Sequence, residues 1–392
     1  MARIKLLMLL GFLAGMALAG LIWEAGRNRE GGGGHGVSHP WAESAGGVGQ
    51  AVEAGDGTDW KHAVHSPAAP DRPANQPDGT EPAGVHFAGS RNREPEEPKV
   101  RVYLTEERRT ETVPLEVYVM GVVAAEMTAD FPQEALEAQA LAARTYIIRR
   151  LVKGDRGGLP EEAAHADVTD ATTHQRYRTL EEMRRMREDN PDGWEKVRRA
   201  VEATRGKVLV YDGEPIQALY FSTSNGYTEA SEEVFSFAVP YLRSVESPWD
   251  RSGAPRSKET TEMALTDFYR KLGIKAAPAA IRKGGAPKLR VAEWTQGRRV
   301  RTLQVGDLRL AGTEVREKLG LRSTAFSWKM DGGRIAITTR GSGHGVGMSQ
   351  WGARFMAEEG YTAEQIVKHY YTGVAVEEVS KLWSPAESFP SL

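Results

Sequence analysis

The chain has 392 residues, enough for one large domain or two ordinary ones, and its 51 basic and 53 acidic side chains leave a formal charge of -2. No global basic field argues for nucleic acid as a partner. Cysteine is absent, which excludes disulfides, thiolate catalysis, Cys-ligated zinc and a lipidated N-terminal Cys.

Residues 1–23 read as a membrane anchor. Arg3 and Lys5 stand at the head of a mostly apolar run, Ile4 to Trp23, of about the length that spans a bilayer. By the positive-inside rule these two charges keep the N-terminus cytoplasmic and send the rest of the chain across. Ala17-Leu18-Ala19 resembles a cleavage site. The length of the run and Trp23 at its end favour an uncleaved single-pass anchor. Residues 24–98 are rich in Gly, Pro, Ala, Ser and His, with almost no aliphatic periodicity. Such a segment buries too little apolar surface to offset its ordering entropy, so it reads as a disordered tether. His35, His39, His62, His65 and His86 lie in it and read as solvated.

The folded region is expected over 99–380, with 381–392 as a tail. Val100–Leu104 is a strand candidate. Leu115, Val119, Val122 and Glu126 follow at i, i+4, i+7 and i+11, one face of a helix. That face is apolar except for Glu126. A carboxylate there is either paired or capping at a helix end, or it is held protonated by burial and can donate a proton to a leaving group. Phe131-Pro132 breaks the helix. A second helix is expected from Gln133 to Val152, ending at Lys153-Gly154, with Leu136, Ala140, Ala143, Ile147 and Leu151 as its stripe. Gln139 and Arg144 flank that stripe, within reach of the Glu126 cavity or solvated on the surface.

His165, Asp167, Asp170 and His174 are types that suit zinc or a hard cation. Their spacing matches no standard ligand pattern, so hydrogen-bonded turn residues are the better reading. No metal and no cofactor is expected. A charged helical stretch splits at Asn190-Pro191. Lys207–Tyr211 and Ile216–Ser222 read as a strand pair around Asp212-Gly213. The second strand runs into Ser222-Thr223-Ser224-Asn225-Gly226, which is turn chemistry or a polar lining for a hydroxyl-rich ligand. Trp249 looks exposed in the loop Pro240–Asp250. A short helix (Leu265–Leu272), strands near Arg290–Trp294, Arg299–Val305, Phe326–Met330 and Arg334–Thr339, and a helix from Thr313 to Gly320 follow. The run from Gly341 to Gly352, GSGHGVGMSQWG, is neither a P-loop nor a Rossmann fingerprint. Its alternating glycines let backbone approach a ligand closely. Ser342, His344, Gln350 and Trp351 suit a sugar; the competing reading is a tight turn around a packed histidine. Thr362 with Gln365 marks the capping box of a last helix.

Five runs in order, LEVYVMGVVAAEM, EALEAQALAARTY, YFSTSNGYTEASEEV, YLRSVESPWD and GSGHGVGMSQWGARFMAEEG, resemble the stage II sporulation protein D family of membrane-anchored peptidoglycan lytic transglycosylases. The resemblance covers most of residues 100–375. It implies that Glu126 is the catalytic acid, cleaving the bond between N-acetylmuramic acid and N-acetylglucosamine to leave a 1,6-anhydro end. One carboxylate suffices when no water must be activated, whereas an ordinary glycosidase needs a pair. The resemblance implies that Gln139, Arg144, Ser222, Thr223, Ser224, Ser342, His344 and Gln350 hold substrate. It implies an extracytoplasmic domain in the mother-cell membrane facing the septal wall. There the protein would act in engulfment on glycan strands, beside a partner amidase and a membrane scaffold protein. The chain departs from the family at Glu137, where Lys is usual, and at Asn225, commonly Gly, which a left-handed turn tolerates.

The expected fold is α+β, a single large domain with helices packed on short, mostly antiparallel strands. A non-catalytic, wall-binding amidase enhancer built on the same domain is the alternative function. A two-carboxylate hydrolase is a third reading.

Overall fold

A computed structural model describes residues 97–235, 237–255, 257–275 and 288–382. The expected anchor, the tether up to residue 96 and the tail beyond 382 lie outside the described residues. Among those described, no helix is long and apolar enough to cross a membrane.

Two prolines start the two helices that carry the fold. Pro114 precedes the helix Leu115–Glu126, and Pro132 precedes the helix Gln133–Lys153. Proline sets a helix-compatible φ, and its missing N–H costs nothing at a helix start. Gly154 closes the second helix in the left-handed conformation, φ 57°, so the chain leaves it sharply. The longer helix is the hub. It packs against Leu115–Glu126, against Pro191–Ala203 and against two C-terminal helices, Gln350–Glu358 and Ala363–Tyr370. Its stripe Leu136, Ala140, Ala143 and Ile147 is fully buried, and so are Ala135, Ala138 and Ala142 on its other faces. The many alanines let neighbours approach from several sides at once, so the helix is central rather than amphipathic.

Strands are short and gathered in small sheets. β1 (Lys99–Leu104) pairs antiparallel with β2 (Arg109–Pro114) and parallel with β3 (Val168–Thr169). β4 (Lys207–Tyr211) turns at Asp212-Gly213 into β5 (Glu214–Pro215). The chain then departs from the expected hairpin. β6 (Tyr220–Phe221) leaves β4 and pairs in parallel with a late strand, Met348–Ser349. The reason is burial. Ile216 and Ala218 enter the main core with Val346 and Met348, and β4 finds its second neighbour in Ala375–Glu378.

Residues 258–275 and 288–340 form a second layer with its own core. β7 (Lys258–Ala264), β11 (Phe326–Asp331) and β12 (Arg334–Arg340) make one antiparallel sheet, in the order β11-β12-β7. β8 (Leu289–Trp294), β9 (Val300–Val305) and β10 (Leu308–Ala311) make another. Phe268, Tyr269, Leu303, Val315 and Ile337 lie buried between these sheets and the helices Leu265–Lys271 and Gly312–Leu319. The fold is α+β as expected, and among the described residues it holds two large apolar cores. Thr362 and Gln365 form the expected capping box. Trp249 is half-buried rather than exposed, its Nε1 donating to Glu359 (2.8 Å) and its ring against Tyr361 and His369.

Candidate active site

Glu126 ends its helix half-buried on the face that carries Val119 and Val122. Burial pushes its carboxyl above the usual carboxylate range. The backbone N–H and charge of Arg176, the Gln350 amide and the Tyr220 hydroxyl oppose that rise. Arg176 N–H donates to Oε1 at 3.0 Å, and Gln350 Nε2 makes long contacts of 3.4 Å to Oε2 and to the Glu126 carbonyl. None of the groups acting on Glu126 among the described residues is a carboxylate.

The segment 175–178 reaches Glu126 because Gly121 leaves room. A Cβ on Gly121 would sit 2.3 Å from the Tyr177 ring, and Arg178 N–H donates to the Gly121 carbonyl. Behind Arg176, the buried Gln175 links two tyrosines. Tyr118 Oη donates to Gln175 Oε1 at 3.0 Å, and Gln175 Nε2 donates to Tyr220 Oη at 3.2 Å. Sequence reasoning missed Gln175 and Tyr220. Gln175 sits in the run weighed only for metal, and Tyr220 was one residue of a strand.

The glycine loop is tied to β6. Thr223 and Ser342 exchange both backbone hydrogen bonds, 3.0 and 2.8 Å. His344 Nδ1 accepts from Val346 N–H (3.1 Å), so Nε2 carries the proton and donates to the Tyr220 carbonyl (3.1 Å). Burial, with the charges of Arg316 and Arg299, lowers His344 to about 4, and it stays neutral. This is the packed-histidine reading: His344 holds the strand that carries Tyr220.

Ser222 Oγ contacts Thr223 Oγ1 at 3.1 Å. Ser224 faces away, toward the fully buried Asp250. Asp250 accepts from Ser224 (2.7 Å), Ser247 (2.6 Å) and Ser349 (2.8 Å), one serine from each of three distant motifs. Ser224 thus binds the scaffold together. Asn225 is not in a left-handed turn, a role taken by Gly226 with φ 104°. Its amide instead donates to the Gly297 carbonyl at 2.9 Å, fastening the turn before β9.

Arg144 is fully buried, and its N–H groups bond to Glu116, Thr204 and the carbonyls of Val201 and Lys207. It does not reach Glu126. Gln139 is also fully buried, and neither end of its amide finds a hydrogen-bond partner among the described residues. Glu137 accepts from Gln133 (3.0 Å), and burial raises its carboxyl.

Around the expected cation-type residues the fold uses the side chains internally. His174 Nδ1 lies 2.9 Å from Thr169 Oγ1 and Nε2 lies 3.0 Å from the Gly157 carbonyl. Asp167 pairs with Arg101 at 2.7 Å, Asp170 accepts from Thr105, and His165 is exposed. Among the described residues no three His, Asp or Glu side chains gather as a metal site. Grooves of about 590 and 560 Å³ run along Pro191–Ala203. None of their lining residues hydrogen-bonds Glu126.

Fold and site together define a class: an α+β protein in which a carboxylate raised by burial, Glu126, is held by groups from widely separated motifs. The family model described as Stage II sporulation protein matches residues 103–211. The chain is 43% identical over 286 residues to Stage II sporulation protein D of Bacillus amyloliquefaciens, covering 73% of this chain and 80% of that protein. It is 44% identical to Stage II sporulation protein D of Bacillus subtilis, covering 71% of this chain and 79% of that protein. The chain belongs to the stage II sporulation protein D family. It is also 30% identical to the amidase enhancer of Bacillus subtilis, over 65% of this chain and 40% of that protein.

Proposed function

We propose that this chain is a peptidoglycan lytic transglycosylase with Glu126 as its single acid. The observation that carries the reading is Glu126 itself: a partly buried carboxylate, raised by burial, with no second carboxylate among the groups acting on it. Protonated Glu126 donates to the oxygen leaving C1 of N-acetylmuramic acid, and the glycosidic bond breaks. The 6-hydroxyl of the same sugar attacks C1 as the Glu126 carboxylate takes its proton. Glu126 is protonated again, no water is consumed, and the product is a 1,6-anhydro end. A two-carboxylate hydrolase would need a partner acid to activate water.

Ser222, Ser342 and Gln350 are proposed to line the sugar path. Arg144, Ser224 and His344 act through the scaffold, since their polar atoms are already spent. No cofactor is invoked. The setting proposed from family membership is a single-pass protein anchored by residues 1–23, its bulk facing the septal wall. It would degrade that wall in engulfment beside a partner amidase and a membrane scaffold.

The likeness to the amidase enhancer of Bacillus subtilis supports a second reading, a wall-binding enhancer without chemistry of its own. The test incubates the full chain and its Glu126→Gln form with peptide-free glycan strands and reads product ends by mass spectrometry. Anhydro ends from wild type, lost in Glu126→Gln, are expected. Reducing ends would make the protein a hydrolase. Glycan binding without cleavage would favour the enhancer.

A further inference from the structure

We infer that Tyr220 is the positioning residue of Glu126, at the end of an oriented hydrogen-bond chain from Tyr118 through Gln175 to the acid. The inference rests on the reading of Glu126 as the acid and adds to it what holds that acid.

The direction of the chain follows from donor counts. An amide oxygen only accepts, so the 3.0 Å contact to Gln175 Oε1 is donated by the Tyr118 hydroxyl. That fixes which end of the Gln175 amide is which. Its Nε2 therefore faces Tyr220 and donates to it at 3.2 Å. A phenol has one proton, and the Tyr220 oxygen is already an acceptor. Its own O–H is left to donate, and the surrounding contacts bracket it with Glu126: Arg176, next to Gln175, donates to Glu126 Oε1 at 3.0 Å, Gln350, two residues after the Met348 that pairs with Tyr220, reaches Oε2 at 3.4 Å, and the Tyr220 hydroxyl opposes the rise of the Glu126 carboxyl. Burial drives the hydroxyls of Tyr118 and Tyr220 well above their ordinary range, so both remain donors.

The ring carrying that proton is held from the backbone side. The Tyr220 carbonyl accepts from His344, and Tyr220 pairs with Met348 in the parallel ladder. Next to it, the Leu219 carbonyl accepts from Met348 N–H and, at 2.8 Å, from Tyr371 Oη. The glycine loop and a C-terminal helix thus aim a hydroxyl at an acid more than ninety residues earlier in the chain.

A donor aimed at a carboxylate favours its ionised form. Burial favours the protonated form. Burial and this donor therefore pull the carboxyl in opposite directions, and the donor keeps the ionised carboxylate pointed for the return step. The charged and titratable groups facing Glu126 from the packed elements are Arg176, Tyr118 and Tyr220. Of these, Tyr220 acts on it through a side-chain hydroxyl that opposes the rise.

The test follows the Glu126 carboxyl directly, so it does not depend on turnover. The full chain is labelled with 13C at glutamate carboxyls, and the Glu126 signal is identified by its loss in Glu126→Gln. Its titration is then compared in wild type, Tyr220→Phe and Gln175→Leu. In Tyr220→Phe the midpoint is expected to rise by about one pH unit, the size of a lost hydrogen bond to a charged group. A smaller rise is expected in Gln175→Leu, which loosens the hydroxyl without removing it. On peptide-free glycan, kcat should fall about tenfold in Tyr220→Phe with little change in KM, and the alkaline limb should move with the carboxyl. An unmoved midpoint in a Tyr220→Phe protein that still melts cooperatively overturns the inference. A midpoint that moves in a protein whose wild type leaves no anhydro ends sinks the lytic reading and leaves the positioning contact standing.

Discussion

Glu116 and Arg144, one on each of the two central helices, form a buried two-pronged ion pair, Nε to Oε1 at 2.9 Å and Nη2 to Oε2 at 2.7 Å. Gly206 N–H also reaches Glu116, at 3.3 Å, and Arg144 reaches the Val201 and Lys207 carbonyls. The pair therefore bolts both helices to the start of β4. Breaking one side of such a pair leaves an uncompensated charge in the interior, at a cost of about 3–5 kcal/mol. Arg144→Met should lose that much in urea unfolding. The double change Glu116→Leu with Arg144→Met should lose less than the sum of the single changes. Additive losses would mean that the two residues act apart.

Gly347 holds the late strand against β6. Its φ is +80°, and a Cβ there would meet the Leu219 carbonyl oxygen at 2.0 Å. Gly347→Ala must push β6 and the Met348–Ser349 strand apart, and Tyr220 goes with them. Gly360 has φ +89° with open space around it, so Gly360→Ala carries only backbone strain, about 1–2 kcal/mol. Glycan cleavage should collapse in Gly347→Ala and survive in Gly360→Ala. Equal activity in the two proteins would show that the loop tolerates the shift.

Glu229 and Arg299 are both fully buried, 3.4 Å apart, where the second layer meets the glycine loop. Burial raises Glu229 from 4.5 to about 7 against the pull of Arg299 and a hydrogen bond from Thr295. Between about pH 4.5 and 7 the folded state holds this proton and the unfolded state does not. The stability it contributes is present below the lower value and lost as pH rises through the upper one. The loss amounts to about 3 kcal/mol over that window. Glu229→Gln carries no such proton. Measured by urea unfolding at pH 5 and pH 8, the variant should gain on wild type by that order as pH rises. A gap between the two proteins that stays constant with pH would show that Glu229 does not titrate in the window.

Much of the fold was legible because its signals are local. Pro114, Pro132 and Gly154 bound the two main helices where short-range sterics put them. Asn190-Pro191 splits the charged helix, and Thr362 caps the last one, since capping and proline geometry involve residues only a few positions apart. Glu126 was legible for a similar reason: a charged residue out of place on an apolar helical face shows in the pattern itself.

The partners were not legible. A buried arginine reads the same in the sequence whether it meets a substrate or Glu116, and only packing shows that Arg144 is spent on the scaffold. His344 in a glycine loop reads as a ligand-binding residue until Val346 and Tyr220 are seen to hold both its nitrogens. Gln175 and Asp250 have no local signature, since their importance lies in joining groups far apart in the chain.

By itself, the sequence determined the bounds of the two central helices, the carboxylate out of place on an apolar helical face and the family, all of which rest on short-range geometry or on ordered motifs. The tertiary structure alone decided which groups surround that carboxylate and which polar residues bond to the scaffold. Gln350 lies 224 positions from Glu126 and Arg176 lies 50. Contacts that distant depend on how whole elements pack, and residue type constrains what a side chain can bond without saying which partner it will meet.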